Sequence, residues 1–145
     1  IFERAKEAEE ILYLTDNAGE IAFDTLLVAE LKRLGAHVAV AVKGKPIIND
    51  AMLQDAKAVG MHETADDLIT TGTDTVGLIP NECSKHFMAR YRSADLVVAK
   101  GMGYAETLTE YKLKKPHLLL FRTKCNPVAE FFAVPKEKNV AKLMP

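Results

Sequence analysis

The stretch Ile11-Leu12-Tyr13-Leu14-Thr15-Asp16-Asn17-Ala18-Gly19-Glu20 decides the reading of this chain. An apolar run stops abruptly at an acid, an amide, two small residues and a second acid, and an amphipathic segment follows. That pattern predicts a buried strand over residues 11–15 that delivers Asp16 and Asn17 to the start of a helix. A second ending of the same kind lies about thirty residues further on. There the apolar run His37–Val42 gives way to Lys43-Gly44-Lys45-Pro46-Ile47-Ile48-Asn49-Asp50. In open α/β sheets ligands bind at the carboxyl ends of the strands. Two adjacent strand ends carrying Asp16, Asn17 and Asp50 can therefore hold a hard cation.

Working outward, apolar β-rich runs alternate with helical patterns. Ile21–Arg33 is predicted helical, with an apolar stripe of Ile21, Leu26, Leu27, Ala29, Leu31 and Leu34 and a stop at Gly35. His37–Val42 is apolar on both faces, as buried parallel strands are. Residues 51–59 form a short helix ended by Gly60, residues 67–71 a third strand, and residues 72–80 a Thr-, Gly- and Pro-rich loop. Asn81 or Ser84 caps a helix running to Ser93. Residues 95–99 and His117–Arg122 are further strands around a helix at 105–111. A helical turn or two follows at 127–133, and Pro135 starts a Lys-rich tail. The alternation calls for one α/β domain over residues 1–145: a mostly parallel sheet with helices on both faces.

The 145 residues suffice for one ordinary domain, and 48% hydrophobic with 27% charged residues describes a soluble globular chain. Nineteen basic and twenty acidic residues leave a formal charge of −1, with no pull toward nucleic acid or an anionic membrane. No apolar run reaches the eighteen or so residues a bilayer span needs. Cys83 and Cys125 have no metal-type spacing, so a reducing cytoplasm is the expected setting. The amino terminus is charged and helix-prone, begins without Met, and suggests a piece of something longer.

Asp16, Asn17 and Asp50 have two readings. Carboxylate and carboxamide oxygens suit Mg²⁺, Mn²⁺ or related ions. The same residue types are favoured helix N-caps, and a βα turn needs one. Lys100, at the end of an apolar strand and before Gly101-Met102-Gly103, can reach a phosphate oxygen while backbone amides close in; alternatively it is a solvated turn lysine. Lys124 ends the last strand in the same way. Cys125 has no neighbouring His to activate it, and a small buried role suits it better. His37 and His117 begin strands at the edge opposite the proposed site, and no histidine pair has zinc spacing. Neither a dinucleotide fingerprint nor a phosphate-binding P-loop is present.

Taken together, Thr15-Asp16-Asn17-Ala18-Gly19-Glu20 with Asp24, Lys43–Ala51 and Ala94-Asp95-Leu96-Val97-Val98-Ala99-Lys100-Gly101 resemble the damage-control metal phosphatases, also known as domain-of-unknown-function family eighty-nine. Arg122-Thr123-Lys124-Cys125 resembles the last strand end of that family. The resemblance implies a Rossmann-like three-layer α/β/α sandwich. It also implies a divalent metal (Mn, Co, Ni or Mg) and hydrolysis of phosphate monoesters of small, damaged or side-product metabolites such as sugar phosphates. Asp16, Asn17 and Asp50 would be metal ligands, with Asp16, Asp50 and Lys100 catalytic. Glu20, Asp24, Lys100, Gly101 and Lys124 would contact substrate. Family members are about twice as long and carry a helical amino-terminal region over the site, so this chain corresponds to the carboxyl-terminal part, completed by such a region or by a second copy. Two rival readings are a phosphometabolite or nucleotide sensor without chemistry, and an S-adenosylmethionine-dependent protein carboxyl methyltransferase.

Overall fold

The computed structural model describes all 145 residues. In chain order the elements are α1 (Phe2–Glu7), β1 (Glu10–Leu14), α2 (Ile21–Arg33), β2 (His37–Val42), α3 (Leu53–Ala58), α4 (Met61–Thr64), β3 (Asp67–Thr70), α5 (Lys85–Ser93), β4 (Leu96–Lys100), α6 (Met102–Leu108), β5 (His117–Arg122), α7 (Asn126–Phe131) and β6 (Asn139–Met144). The sheet order is β3-β2-β1-β4-β5-β6. The first five strands are parallel and β6 runs antiparallel to β5.

Strand side chains alternate between faces, and the core divides accordingly. Ile11, Tyr13, Val38, Val40, Leu96 and Val98 pack with Ala5 of α1, Val28 and Leu31 of α2, Ala56 of α3 and Met61 of α4. Leu12, Leu14, Ala39, Ala41, Val97 and Leu119 pack on the other side with Phe87 of α5, Leu108 of α6 and Val128 of α7. Two apolar clusters with the sheet between them make the expected three-layer α/β/α sandwich. The chain winds from β1 outward to β3, then crosses back to place β4 on the other flank of β1. The direction of winding therefore reverses between β1 and β4, which is where such folds bind ligands.

Several expectations need correction. The Lys-rich tail folds back as β6, whose exposed, lysine-bearing surface blunts an edge strand and hides its periodicity. On α2 the buried residues are Ile21, Asp24, Val28 and Leu31, while Phe23 and Leu26 face outward. Asp24 occupies the core face for a polar purpose described below, and this rotates the apparent stripe. Helix α3 begins at Leu53 rather than Ala51, because Asp50 and Ala51 remain extended against the β1–α2 loop. Helix α6 starts at Met102 rather than Ala105, and carries Gly103 within it because Val76 packs directly against that glycine. The short α4 was not expected.

His117 starts β5 and is fully buried. Its Nδ1 lies 2.8 Å from the Lys115 carbonyl and its Nε2 2.8 Å from the Tyr91 hydroxyl, so the neutral ring donates to the carbonyl and accepts from Tyr91. Burial holds the imidazole below its ordinary value. The unfolded chain therefore takes up a proton near pH 6.5 that the folded chain refuses, and stability falls as pH drops below that point. His117→Gln removes this titration. The gap in urea midpoint between wild type and H117Q should narrow from pH 7.5 to pH 5; a constant gap would refute the assignment.

Candidate metal and phosphate site

Backbone pairing brings the two predicted strand ends together. Thr15 continues β1 by one residue, with both its N–H and its hydroxyl donating to the Ala41 carbonyl at 3.1 Å. Next, the Ala18 N–H donates to the Asn49 carbonyl and the Ala51 N–H to the Asp16 carbonyl, each at 2.8 Å. Asn17 and Asp50 form an isolated antiparallel bridge. Three hard oxygen-bearing side chains from two loops thus become neighbours at the carboxyl edge of β1 and β2.

None of the three caps a helix. The N-cap of α2 is Glu20, four positions beyond Asp16, and that of α3 is Met52, whose N–H is taken by Asp55 at 2.8 Å. The capping alternative for Asp16, Asn17 and Asp50 is removed. Asn17 Nδ2 donates to Asp16 Oδ2 at 3.0 Å and to Glu20 Oε1 at 3.2 Å. Burial, followed by the charges of Asp50 and Glu20, pushes the Asp16 carboxyl up to about 6, against the opposing pull of Lys124 and Lys100. Asp50 is likewise raised by burial and partly relieved by Lys43. Half-buried carboxylates that repel one another fit a site that gains by admitting a cation. No group of three His, Cys, Asp or Glu side chains gathers anywhere in the chain, so this site offers two carboxylates and an amide rather than a cluster of acids. Two carboxylates and an amide form an all-oxygen set, which matches hard divalent ions rather than soft ones.

Lys100 ends β4 beside this cluster. Its Nζ lies 2.7 Å from Asp24 Oδ1 and 3.3 Å from Glu20 Oε2. Burial alone would lower the ammonium, but these carboxylates outweigh it and hold Lys100 above its ordinary value. It is a standing positive charge, unsuited to releasing protons. Asp24 is only 3% exposed and also accepts from the Tyr13 hydroxyl at 2.8 Å. It lies beneath Lys100 and holds that ammonium in place. Gly101 lines the cleft beside Asp16, with its N–H donating to the Leu120 carbonyl within the sheet. Gly101 has φ +92°, and a Cβ there would overlap the Asp16 carboxyl group. Only glycine allows Asp16 this position.

Beside Asp16 opens a cleft of about 390 Å³ whose walls include Glu20, Lys100, Lys124, Arg122 and Asn139. Glu20 and Lys124 are thus brought together with Lys100 around Asp16. Asn139 was missed because it belongs to the unforeseen β6, and Arg122, though it ends the expected strand β5, was not named as a site residue. Lys43, buried next to Asp50, was also not singled out, since a lysine following a strand is usually solvated. A larger hollow of about 1000 Å³ lies at the opposite, amino-terminal ends of the strands, near Arg92, Tyr111 and Lys114. It lacks the converging perturbed carboxylates and the topological switch point, so the smaller cleft is the better candidate.

The family model of the damage-control phosphatase ARMT1-like domain matches residues 1–140. An uncharacterized protein of Methanocaldococcus jannaschii is 49% identical over 93% of this chain and 45% of its own length. A damage-control phosphatase of Archaeoglobus fulgidus is 42% identical over 98% of this chain and 50% of its own. Another, from Pyrococcus horikoshii, is 42% identical over 94% of this chain and 47% of its own. The crystal structure of a DUF89 family protein from Pyrococcus horikoshii superposes with a TM-score of 0.90 at 40% identity, covering 97% of this chain and 49% of that one. The chain spans about half the length of the curated relatives it matches.

Proposed function

Since the chain belongs to the damage-control phosphatase ARMT1-like family, we propose that it carries the metal and phosphate site of a phosphatase acting on phosphate monoesters of small metabolites, sugar phosphates among them. One observation carries this reading. Asp16, Asn17 and Asp50 are joined by backbone bonds across the ends of β1 and β2, beside the β1–β4 switch point, free of capping duty and close to a lysine held in its charged form. Asp16, Asn17 and Asp50 would hold a divalent ion such as Mn²⁺, Co²⁺, Ni²⁺ or Mg²⁺. When bound, that ion supplies charge neutralisation at the phosphoryl group and a more acidic water.

The chain's own residues do the rest. Lys100 offers a fixed positive charge to the phosphoryl oxygens, and Asp24 with Tyr13 fixes its reach. Glu20 steadies both Asn17 and Lys100 from the cleft wall. Lys124 adds a second cation at the cleft mouth, and the ester's remaining part lies toward Arg122 and Asn139. We place the reaction in the cytoplasm, consistent with two free cysteines; no helix is long and apolar enough to cross a membrane.

The test is release of inorganic phosphate from an aryl phosphate after exhaustive chelation and again after adding back each metal. Turnover should vanish with chelator and return with Mn²⁺, Co²⁺, Ni²⁺ or Mg²⁺. Phosphate-ester binding that survives chelator, without phosphate release under any metal, would favour a binding module instead.

A further inference from the structure

Lys43 directly follows β2 and is 1% exposed, an unusual burial for an ammonium group. Its Nζ donates to the Thr75 carbonyl at 2.7 Å and the Gly77 carbonyl at 3.0 Å. It lies 4.7 Å from the centroid of the Tyr104 ring. The remaining proton faces Asp50 Oδ2 at 3.7 Å, a charge contact rather than a hydrogen bond. A buried unpaired charge is expensive, and two carbonyls and a ring face could have been served by a smaller neutral donor. What only a cation supplies here is a fixed partner for one oxygen of Asp50.

The loop that Lys43 grips reaches the other half of the site. Gly77 packs so tightly on α6 that a Cβ would overlap the Gly103 carbonyl and the Thr107 side chain. The Leu78 N–H donates to the Thr107 hydroxyl at 2.9 Å. Helix α6 begins directly after Lys100 and Gly101. Lys43 therefore joins Asp50, at the end of β2, to the β4–α6 turn that presents Lys100.

We infer that Lys43 is a positioning residue of the metal site, turning Asp50 Oδ2 inward so that Oδ1 is presented to the ion and tying that orientation to the β4–α6 turn. The inference rests on the proposed reading of Asp50 as a metal ligand. Residues that hydrogen-bond or pair with metal-ligating carboxylates typically matter 10- to 100-fold in metal affinity (about one to two decades).

Charge alone predicts the opposite sign, which makes the test sharp. Deleting a cation close to the site should tighten binding of a divalent cation. Loss of orientation should weaken it. Mn²⁺ affinity is measured by electron paramagnetic resonance of free Mn²⁺ for wild type, Lys43→Met, Asp50→Asn and the double variant. The expected result is roughly 10- to 100-fold weaker binding in K43M, and no further loss when K43M is added to D50N. Unchanged or tighter binding by folded K43M, or losses that simply multiply in the double variant, would overturn the inference. Wild-type affinity in D50N would instead remove the ligand reading beneath it. Should K43M fail to fold, the ¹⁵Nζ resonance of Lys43 in the wild-type chain decides. It should shift on Mg²⁺ addition and stay still in D50N; a resonance indifferent to Mg²⁺ in wild type overturns the inference.

Discussion

Asp16→Ala should reduce metal-dependent hydrolysis of an aryl phosphate by about 10³-fold or more in kcat/KM. Charge stabilisation by a bound ion is worth several kcal/mol, and each ~1.4 kcal/mol is a factor of ten. Asp16 is the side chain on which the site converges: Asn17 donates to it, Gly101 makes room for it, and burial, then Asp50 and Glu20, raise its carboxyl group. The same crowding predicts a second, opposite result. In chelator, D16A loses a half-buried carboxylate that its neighbours repel, so its urea midpoint should equal or exceed that of wild type. Stability kept with activity lost is the signature of a site residue. Full metal-dependent turnover by D16A would sink the assignment.

Lys100→Met should be costly in both respects. Asp24 is 3% exposed and its Oδ2 has no hydrogen-bond partner, so Lys100 supplies most of its charge compensation. Removing one member of a buried pair destabilises by about 3–5 kcal/mol, a large share of a domain's total. Loss of the phosphate-facing charge should also lower kcat/KM by roughly 10²–10³-fold. The two effects separate in a double variant. Adding Asp24→Asn to K100M removes the stranded charge and should restore most of the denaturant midpoint while turnover stays low. Recovery of both together would make Lys100 a structural residue only.

The strand frame was legible because His37–Val42 and His117–Arg122 are near-continuous apolar runs, the mark of strands buried on both faces. The polar residues that end these runs stood out for a related reason: the abrupt change of character marks the strand end, whichever role the side chains take. Local signals failed where a tertiary partner outweighs them. Asp24 sits on the core face of α2 because Tyr13 and Lys100 need it there, and that spoiled the apolar stripe. Strand β6 exists through pairing with β5, so its own sequence reads as a charged tail. Capping could not be separated from ligation at Asp16 or Asp50 until the helix starts were known, since both roles use the same side chains. Lys43 was hidden by its chemistry: a lysine in a turn is usually solvated, and only the fold shows it sealed beneath Asp50.

On the proposed reading, one divalent ion is held between the ends of β1 and β2. Anomalous diffraction from crystals grown with Mn²⁺ tests it directly. One strong anomalous peak is expected within about 2.0–2.6 Å of oxygens from Asp16, Asn17 and Asp50, facing Lys100 across the cleft. A peak bound elsewhere, with those three side chains bare at saturating Mn²⁺, would contradict it.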